Sequence, residues 1–399
     1  MKTSNSKKIL GDFITLQRGF DITKAQQSKG SHPVVSSGGI ASYHNKFKVA
    51  GPGVVIGRKG TLGTAFYLET NFWPHDTSLW VKDFKGNNPK FVYYYLKALP
   101  LGKLDSGSAN PTLNRNFAHL VETKFPPPAE QQRIAKVLSL LDRKIEVNNQ
   151  IYAELAGAAK LLYDYWFVQF DFPMNAAQAL ATGDPALAGK PYRASGGKMV
   201  YNEKLKRAIP YGWEVSSLVD VATFTNGIAC QKFPAGDGKS LKVIKIKEMR
   251  DGFTSNSDSV TVDVPQSVKV ENGDILFSWS ASLEVMLWAG GSGALNQHIF
   301  KVTSNSHPRS FIYFVLLDYL KHFQMIAELR KTTMGHITRD HLKQSRVCIP
   351  DCDTAGRFER RANLVIERLL LVQEENLQLA ELRDWLLPMF MTGQVTPSQ

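Results

Sequence analysis

Two long segments of the chain repeat apolar residues at alternating spacings of four and three positions, which is typical of the narrow seam of a coiled coil. The first segment carries Ile134, Leu138, Leu141, Ile145, Asn148, Tyr152, Leu155, Ala159, Leu162 and Trp166. The second, less regular, carries Val365, Leu369, Val372, Asn376, Leu379, Arg383, Leu386 and Phe390. Each segment predicts a helix of close to 40 residues, or about 60 Å. Helices of that length cannot be enclosed by a small domain, so we expect them to pair as an antiparallel coiled coil.

Asn148 and Asn376 occupy seam positions of these two segments. A buried amide at such a position costs stability but fixes the register of the pair. The alternative is that both side chains lie at a frayed edge in water, and the pattern alone leaves the two possibilities open.

Ahead of each helix, the pattern changes to short β-branched and aromatic runs interrupted by Gly, Pro, Asn and Ser, which predicts strands. Val54–Ile56 and Ser78–Val81 are such runs in the first half, and Ile275–Trp279 and Ile299–Val302 in the second. Two further runs, Phe91–Leu96 and Phe311–Leu316, are too apolar to stay in water and are predicted to be core helices.

The chain repeats once at long range, because five blocks recur in the same order. The pairs are Leu10–Phe13 with Leu218–Val221, Pro52–Ile56 with Asn272–Leu276, Phe91–Leu96 with Phe311–Leu316, Leu113–Arg115 with Ile337–Arg339, and Phe125–Pro126 with Ile349–Pro350. This tandem duplication predicts an α+β fold with pseudo-two-fold symmetry. Its parts are a strand-rich domain at 1–128, a long helix at 129–170, a linker rich in Ala and Gly at 171–205, a second strand-rich domain at 206–350, and a second long helix with a C-terminal tail at 351–399.

Composition adds a formal net charge of +12 at pH 7, which favours a polyanionic partner, usually nucleic acid. A merely basic surface is the alternative. No apolar run of about 18 residues occurs and the N-terminus has no apolar signal region, so neither a membrane span nor secretion is expected. The cysteines are Cys230, Cys348 and Cys352, an odd and sparse set that fits a reducing cytoplasm and lacks a zinc-ligand spacing.

Motifs for catalysis are weak. Gly238-Lys239-Ser240 ends like a phosphate-binding loop, but Phe233 stands where its first glycine is required. Asn110-Pro111-Thr112-Leu113 begins like an amino-methyltransferase motif but lacks the second proline and the aromatic residue. A non-catalytic binding protein is therefore favoured, while a hidden nuclease carboxylate cluster remains an alternative.

The ordered blocks resemble the specificity subunit of type I restriction-modification systems. The segments that carry the resemblance are Gly53–Gly63 (GVVIGRKGTLG), Phe125–Ala135 (FPPPAEQQRIA), Ile209–Glu214 (IPYGWE), Gly273–Ser282 (GDILFSWSAS) and Leu295–Val302 (LNQHIFKV). The second helix departs from the family pattern, because Ala355–Arg361 replaces its usual Pro-x-x-Glu-Gln start.

The resemblance implies two target-recognition domains, each of which reads one half of a bipartite, asymmetric site in double-stranded DNA. The helices would set the spacing and dock two methyltransferase subunits, which nuclease-translocase subunits would join. S-adenosylmethionine, ATP and Mg would serve those partners, with no cofactor or metal in this chain. Two other functions stay open: a self-contained DNA-modifying enzyme, and a coiled-coil scaffold that binds proteins.

Candidate DNA contacts are polar residues of loops next to the predicted strands. Arg and Lys suit guanine edges or phosphates, Asn and Gln suit adenine, and Ser and Thr suit phosphate oxygens; the alternative for each is a solvated or turn-shaping side chain. The first half offers Arg58, Lys59, Thr61, His75, Asp76, Thr77, Ser78, Ser108, Asn110, Thr112, Asn114 and Arg115. The second half offers Ser278, Ser280, Asn296, Gln297, His298, Arg330, Lys331, Thr332, Thr333, His336 and Arg339.

The stretch GRKGTLG (57–63) suits either a nucleotide cradle or a hairpin. Its counterpart in the second half, Phe277–Ser282, has neither the glycines nor the cations. Two copies of a catalytic loop would not differ in this way, whereas loops that read different half-sites would. We therefore expect Arg58 and Lys59 to contact DNA from a hairpin, and Trp279 to be packed rather than to read a base.

Overall fold

A computed structural model of the chain describes residues 8–104, 111–329 and 336–397. Its contacts divide the chain into two units, Met1–Ile145 with Leu379–Gln399, and Glu146–Gln378. Each unit therefore contains one strand-rich domain together with part of both long helices. The division falls within the helices, whereas the sequence placed the domain boundaries at their ends.

The first domain is built mainly from short strands and is followed by the first long helix. Its elements are α1 (Leu10–Phe13), β1 (Thr15–Arg18), β2 (His32–Ser36), β3 (Gly39–His44), β4 (Gly53–Gly57), β5 (Ala65–Leu68), β6 (Trp73–Pro74), β7 (Ser78–Asp83), α2 (Pro89–Ala98), α3 (Arg115–His119) and α4 (Pro128–Tyr163). An antiparallel sheet has the order β1-β7-β4-β5, and a smaller sheet has the order β3-β2-β6.

Strand β4 lies at the centre of the first domain, and all five of its residues are buried. Helix α2 covers this sheet, since Phe91 and Tyr95 share a core with Val54 and Ile56. The sequence dictates where α2 begins, because the Asn88 side chain accepts a hydrogen bond from the Phe91 amide (2.9 Å). The prediction that Phe91–Leu96 is a core helix is confirmed.

The second unit repeats this plan with additional elements. Its strands and remaining helices follow α4 in the chain. They are α5 (Ala176–Ala181), β8 (Met199–Asn202), β9 (Arg207–Pro210), β10 (Glu214–Ser217), α6 (Leu218–Val221), β11 (Thr223–Asn226), β12 (Ser240–Ile244), α7 (Ile246–Asp251), β13 (Ser259–Thr261), β14 (Lys269–Val270), β15 (Ile275–Ser278), β16 (Glu284–Leu287), β17 (Gly293–Leu295), β18 (Ile299–Thr303), α8 (Arg309–Leu329), α9 (Arg339–Gln344), β19 (Arg346–Ile349) and α10 (Cys352–Thr392). The last of them, α10, extends into the first unit. The sheet β11-β18-β15-β16 has the same connectivity as β1-β7-β4-β5. The duplication predicted from the sequence is therefore confirmed in the topology.

In the first unit, α4 and α10 pack against each other in opposite directions. Ile134 and Leu138 of α4 are fully buried in one core with Leu387 and Phe390 of α10. Further along α4, Asp142 accepts a hydrogen bond from Arg383 (3.0 Å). Contacts closer to the C-terminus of α4 are thus made with residues closer to the N-terminus of α10, so the two helices are antiparallel.

In the second unit, the same two helices meet through a polar pair and an aromatic cluster. Asn148 is 1% exposed and donates to the Glu375 carboxylate (2.8 Å). In the helical turn Asp164–Val168, which directly follows α4, the ring of Trp166 lies 5.7 Å from that of Phe358 of α10. The pairing is again antiparallel, and Asn148 lies in the seam rather than at an edge in water.

The segment 171–205, expected to be a linker, is folded. It contains α5 and β8, and it buries Phe172, Met174 and Tyr192. Phe172 stacks on Trp213, with ring centroids 5.0 Å apart. The apolar residues of the segment follow neither a helical nor a strand period, so the sequence alone does not reveal which of them are buried.

The first domain contains a histidine that must be neutral in the fold. His119 accepts a hydrogen bond from the Leu16 amide through Nε2 (2.9 Å). Burial, together with the nearby Arg115 and Lys85, lowers the pKa of His119. Protonation of Nε2 would remove the acceptor and leave the Leu16 amide without its partner.

We therefore predict that acidification destabilises the first unit through His119. Because the folded pKa is lowered, this contribution is complete above about pH 6.5, the ordinary histidine pKa, and is lost as the pH falls below it. The melting temperature should drop more between about pH 7.5 and pH 5.5 in the wild type than in His119→Gln. Equal drops in the two proteins would contradict the prediction.

Candidate nucleic-acid interface

The stretch GRKGTLG forms the hairpin loop between β4 and β5. A β-carbon on Gly57 would lie 1.8 Å from the Thr61 carbonyl oxygen, and Gly60 and Gly63 have a positive φ of 74°. The glycines therefore shape the turn. Lys59 and Thr61 are exposed at its surface, and Arg58 is half-buried.

Backbone hydrogen bonds join this hairpin to two other loops that the sequence singled out. The amides of Arg58 and Lys59 donate to the Thr77 carbonyl (3.0 and 3.1 Å), and the Leu113 amide donates to the Arg58 carbonyl (2.9 Å). Thr112 forms a bridge with Lys59. The loops at 58–61, 75–77 and 112–115 thus form one surface of the first unit, which we call loop cluster 1.

Asp76 is the anionic centre of loop cluster 1. Its carboxylate accepts a hydrogen bond from Arg18 Nη2 (2.8 Å), and its other oxygen lies 3.0 Å from His75 Nδ1. Its carbonyl accepts a hydrogen bond from Arg58 (3.4 Å). Burial acts to raise the pKa of Asp76, but the Arg18 hydrogen bond and the charges of His75, Arg18 and Lys59 lower it overall. Asp76 is therefore ionised and binds cationic side chains of its own domain.

Other predicted contacts of loop cluster 1 differ in their access to solvent. Ser78 is 0% exposed and donates to the His75 carbonyl (2.7 Å), so it shapes the loop and is unable to act as an exposed contact. Asn114 accepts from the Asn116 amide (2.9 Å) and caps α3, while Arg115 is exposed. Thr77 bonds to the ring of His75 (3.0 Å).

Six of the predicted contacts lie outside the described residues. They are Ser108, Asn110, Arg330, Lys331, Thr332 and Thr333.

The second domain assembles an equivalent surface around the loop from Trp279 to Leu283, between β15 and β16. The Trp279 amide donates to the His298 carbonyl (3.2 Å), and the Ile337 amide donates to the Trp279 carbonyl (2.9 Å). Ser280 forms a bridge with His336. These bonds repeat those of loop cluster 1, with Trp279 in the place of Arg58 and Ser280 in the place of Lys59. We call this surface loop cluster 2.

Trp279 is packed among aromatic rings, as predicted. Its ring lies 5.7 Å from His298, 5.8 Å from Phe300 and 6.1 Å from His336. Its indole N–H donates to the Asn226 side-chain oxygen (2.9 Å). Loop cluster 2 is therefore aromatic where loop cluster 1 is cationic.

Among the remaining predicted residues of loop cluster 2, Ser278 was expected to be an accessible DNA contact, but its side chain is buried. It is 0% exposed, donates to the Ser282 carbonyl (2.6 Å) and accepts from the Glu284 amide (2.8 Å), so it closes the turn. Ser280 is only 9% exposed. The side chains with solvent access are Asn296, Gln297, His298, His336 and Arg339.

Two equivalent glycines allow strand ends to pass close to these loops. A β-carbon on Gly19 would lie 2.1 Å from the His75 carbonyl oxygen, and one on Gly227 would lie 2.2 Å from that of Asn296. Each glycine follows the last residue of a strand, Arg18 of β1 or Asn226 of β11. Sequence reasoning missed both Arg18 and Asn226, although the repeated stretches TLQRG (15–19) and TFTNG (223–227) align them.

Across residues 8–104, 111–329 and 336–397, His, Cys, Asp and Glu side chains form no group of three or more able to hold a metal ion. Gly238-Lys239 lies in a loop that leads into strand β12. Within the same described ranges, no helix is both long and apolar enough to cross a membrane.

Comparison with known proteins yields one family for both halves. A family model described as "Type I restriction modification DNA specificity domain" matches residues 3–156 and 210–356. The specificity subunit of the type I restriction enzyme MjaIX of Methanocaldococcus jannaschii is 24% identical over 327 residues, which cover 77% of this chain and 69% of that protein. The HindI specificity subunit of Haemophilus influenzae is 23% identical over 332 residues, 71% of each chain.

A solved structure has the same fold. The crystal structure of the type I restriction-modification system S subunit from M. genitalium superposes with a TM-score of 0.59 at 15% identity, over 100% of this chain and 99% of that one.

We predict that Gly19→Ala and Gly227→Ala each destabilise the protein by about 1–3 kcal/mol, because the added methyl group would overlap a backbone oxygen. Gly38 and Gly238 are the matched controls, since a β-carbon at either meets no atom within 4 Å. Thermal unfolding should show lower midpoints for the first pair and near wild-type midpoints for Gly38→Ala and Gly238→Ala. Equal effects of the two pairs of substitutions would show that the close approach of Gly19 and Gly227 to the carbonyl oxygens is unimportant for stability.

Proposed function

Because the chain belongs to the family of type I restriction-modification specificity subunits, we propose that each loop cluster reads one half of a bipartite DNA site. Loop cluster 1 would read one half and loop cluster 2 the other. Since the two clusters differ in sequence, the two half-sites would differ as well.

The observation that carries this proposal is that the two loop clusters share a backbone arrangement but carry different side chains. Two equivalent backbone hydrogen bonds and one equivalent bridge hold each cluster. The side chains differ, because Trp279, Ser280 and Gln297 of the second cluster stand where the first has Arg58, Lys59 and Asp76. Conserved geometry with changed side chains is what readers of two different base sequences require. A shared catalytic mechanism would instead require the same side chains in both places.

The positive charge of the first cluster suits DNA. Arg18 binds the Asp76 carboxylate, the charge of Lys59 acts on the same carboxylate, and Arg58 donates to the Asp76 main-chain carbonyl. The excess positive charge would attract phosphates, and that part of the binding energy would decrease with salt. The formal charge of +12 over the whole chain acts in the same direction.

In this proposal the chain directs catalysis that other subunits perform. Two methyltransferase subunits would dock on α4 and α10, which contribute residues to both units, and the paired helices would set the gap between half-sites. The methyltransferases would use S-adenosylmethionine, and nuclease-translocase subunits would use ATP and Mg. Exposed apolar side chains on the helices, such as Leu140, Leu161, Leu364 and Trp385, are suited to contact such partners.

The test is a methylation assay with the full chain and its methyltransferase. Methylation is expected at a two-part site only when this chain is present, and exchange of residues 206–350 for the corresponding domain of a relative should change one half-site alone. The same site preference after both domains are replaced would exclude the proposal. Methylation or cleavage by the isolated chain with S-adenosylmethionine or Mg supplied would favour a self-contained enzyme, and partner assembly without DNA affinity would favour a scaffold.

A second prediction concerns the hairpin. Arg58→Ala with Lys59→Ala should weaken binding to DNA that carries the half-site of loop cluster 1, and should reduce the slope of log K against log salt by about 1–2. Binding titrations from about 50 to 200 mM salt measure both effects. Affinity unchanged at every salt concentration would remove the hairpin from the interface.

A further inference from the structure

We infer that Arg18 and Asn226, at one equivalent position of the duplicated fold, are specificity-determining residues, and that Arg18 reads a guanine in the half-site of loop cluster 1. This inference rests on the proposed function and extends it to residues that the sequence patterns did not reveal.

The position is fixed by the backbone in both domains. Arg18 ends β1 and Asn226 ends β11, and each is followed by a glycine that passes against a loop carbonyl, at His75 or Asn296. The next residues form parallel bridges, Phe20 with His75 and Ile228 with Asn296. A side chain at this position is therefore attached to backbone that is held against the loop by the glycine contact and the bridge. Such a fixed attachment suits a residue that recognises a base.

Arg18 is held in place without being enclosed. One of its terminal nitrogens donates to Asp76 (2.8 Å), while half of its side chain remains exposed, against 13% for Asp76. A guanidinium carries five N–H donors in a planar fork, so a bond to one carboxylate oxygen leaves donors available. The carboxylate restricts the rotamers of Arg18 and lowers the entropy cost of a further contact.

The chemistry selects guanine. The fork matches O6 and N7 of guanine in the major groove, which is the most frequent specific contact of arginine with DNA. A phosphate would accept the same donors, but losing a phosphate contact would weaken recognition equally for every base sequence. A guanine contact is recognised by a loss that depends on the base at one position.

Asn226 occupies the equivalent position in the second domain with a different side chain. Its side-chain oxygen accepts the indole N–H of Trp279 (2.9 Å), which leaves its amide group as the remaining donor. The second domain therefore has a neutral side chain at this position, held by an aromatic residue instead of a carboxylate. The two domains use one position with two chemistries, as expected of a residue that sets base preference.

The experiment measures methylation by the full chain with its methyltransferase on two DNA libraries, one with the half-site of loop cluster 1 randomised and one with the half-site of loop cluster 2 randomised. Arg18→Lys keeps the charge but removes the fork. It should reduce the preference for guanine at one position by about tenfold or more, with little change at the other positions. Asp76→Asn should weaken the same preference to a smaller extent, because Arg18 is then less restricted.

Asn226→Ala is the matched control, and it should leave the profile of this half-site unchanged while altering the other. An Arg18→Lys profile identical to the wild type, or a uniform loss across all bases, would overturn the inference while the proposed function stands. A wild-type complex that shows no two-part preference would instead contradict the proposed function. Melting temperatures of the variants, compared with the wild type, identify any profile change that arises from unfolding.

Discussion

In the first unit, Ile134 and Leu138 of α4 pack in one core with Leu387 and Phe390 of α10, and α2 of the domain packs in the same cluster. The long helices are therefore part of the core of this domain as well as partners of each other. Burial of large apolar side chains is the main favourable contribution to folding, so a domain of short strands gains much of its stability from them. The second unit follows the same principle, with Trp166 and Phe358 in its core.

This constraint explains how the loops can vary. The sheet and helices supply the core, while the hydrogen bonds that join the loops come from backbone groups, such as the Leu113 amide to Arg58 and the Ile337 amide to Trp279. Backbone bonds do not depend on side-chain identity. An arginine and a tryptophan can therefore occupy the same position, and the chemistry of the surface changes while the geometry persists.

Much of the fold was predictable, because periodicity reports burial directly. The spacing of Ile134, Leu138 and their successors predicted α4, and the repeated blocks predicted two domains with one topology. The folded segment 171–205 was not predictable, since residues such as Phe172 are buried by individual tertiary contacts that leave no periodic pattern.

For the candidate site, the sequence located the loops better than the side chains. The turn at GRKGTLG was visible from its glycines, but burial of Ser78 and Ser278 depends on neighbours distant in sequence or on the closing of a turn. Arg18 was overlooked because its partner Asp76 is 58 positions away. Ion pairs of this separation are set by strand order, which a single sequence does not display.

The first unit is discontinuous in sequence, because it contains Leu379–Gln399 as well as Met1–Ile145. During synthesis, the ribosome must add about 230 residues after Ile145 before the last segment of this unit exists. At roughly 5–20 residues per second, that interval lasts about 10–50 s. The first domain therefore cannot complete its core until α10 has been made, and until then the apolar side chains Ile134 and Leu138 lack their partners from α10.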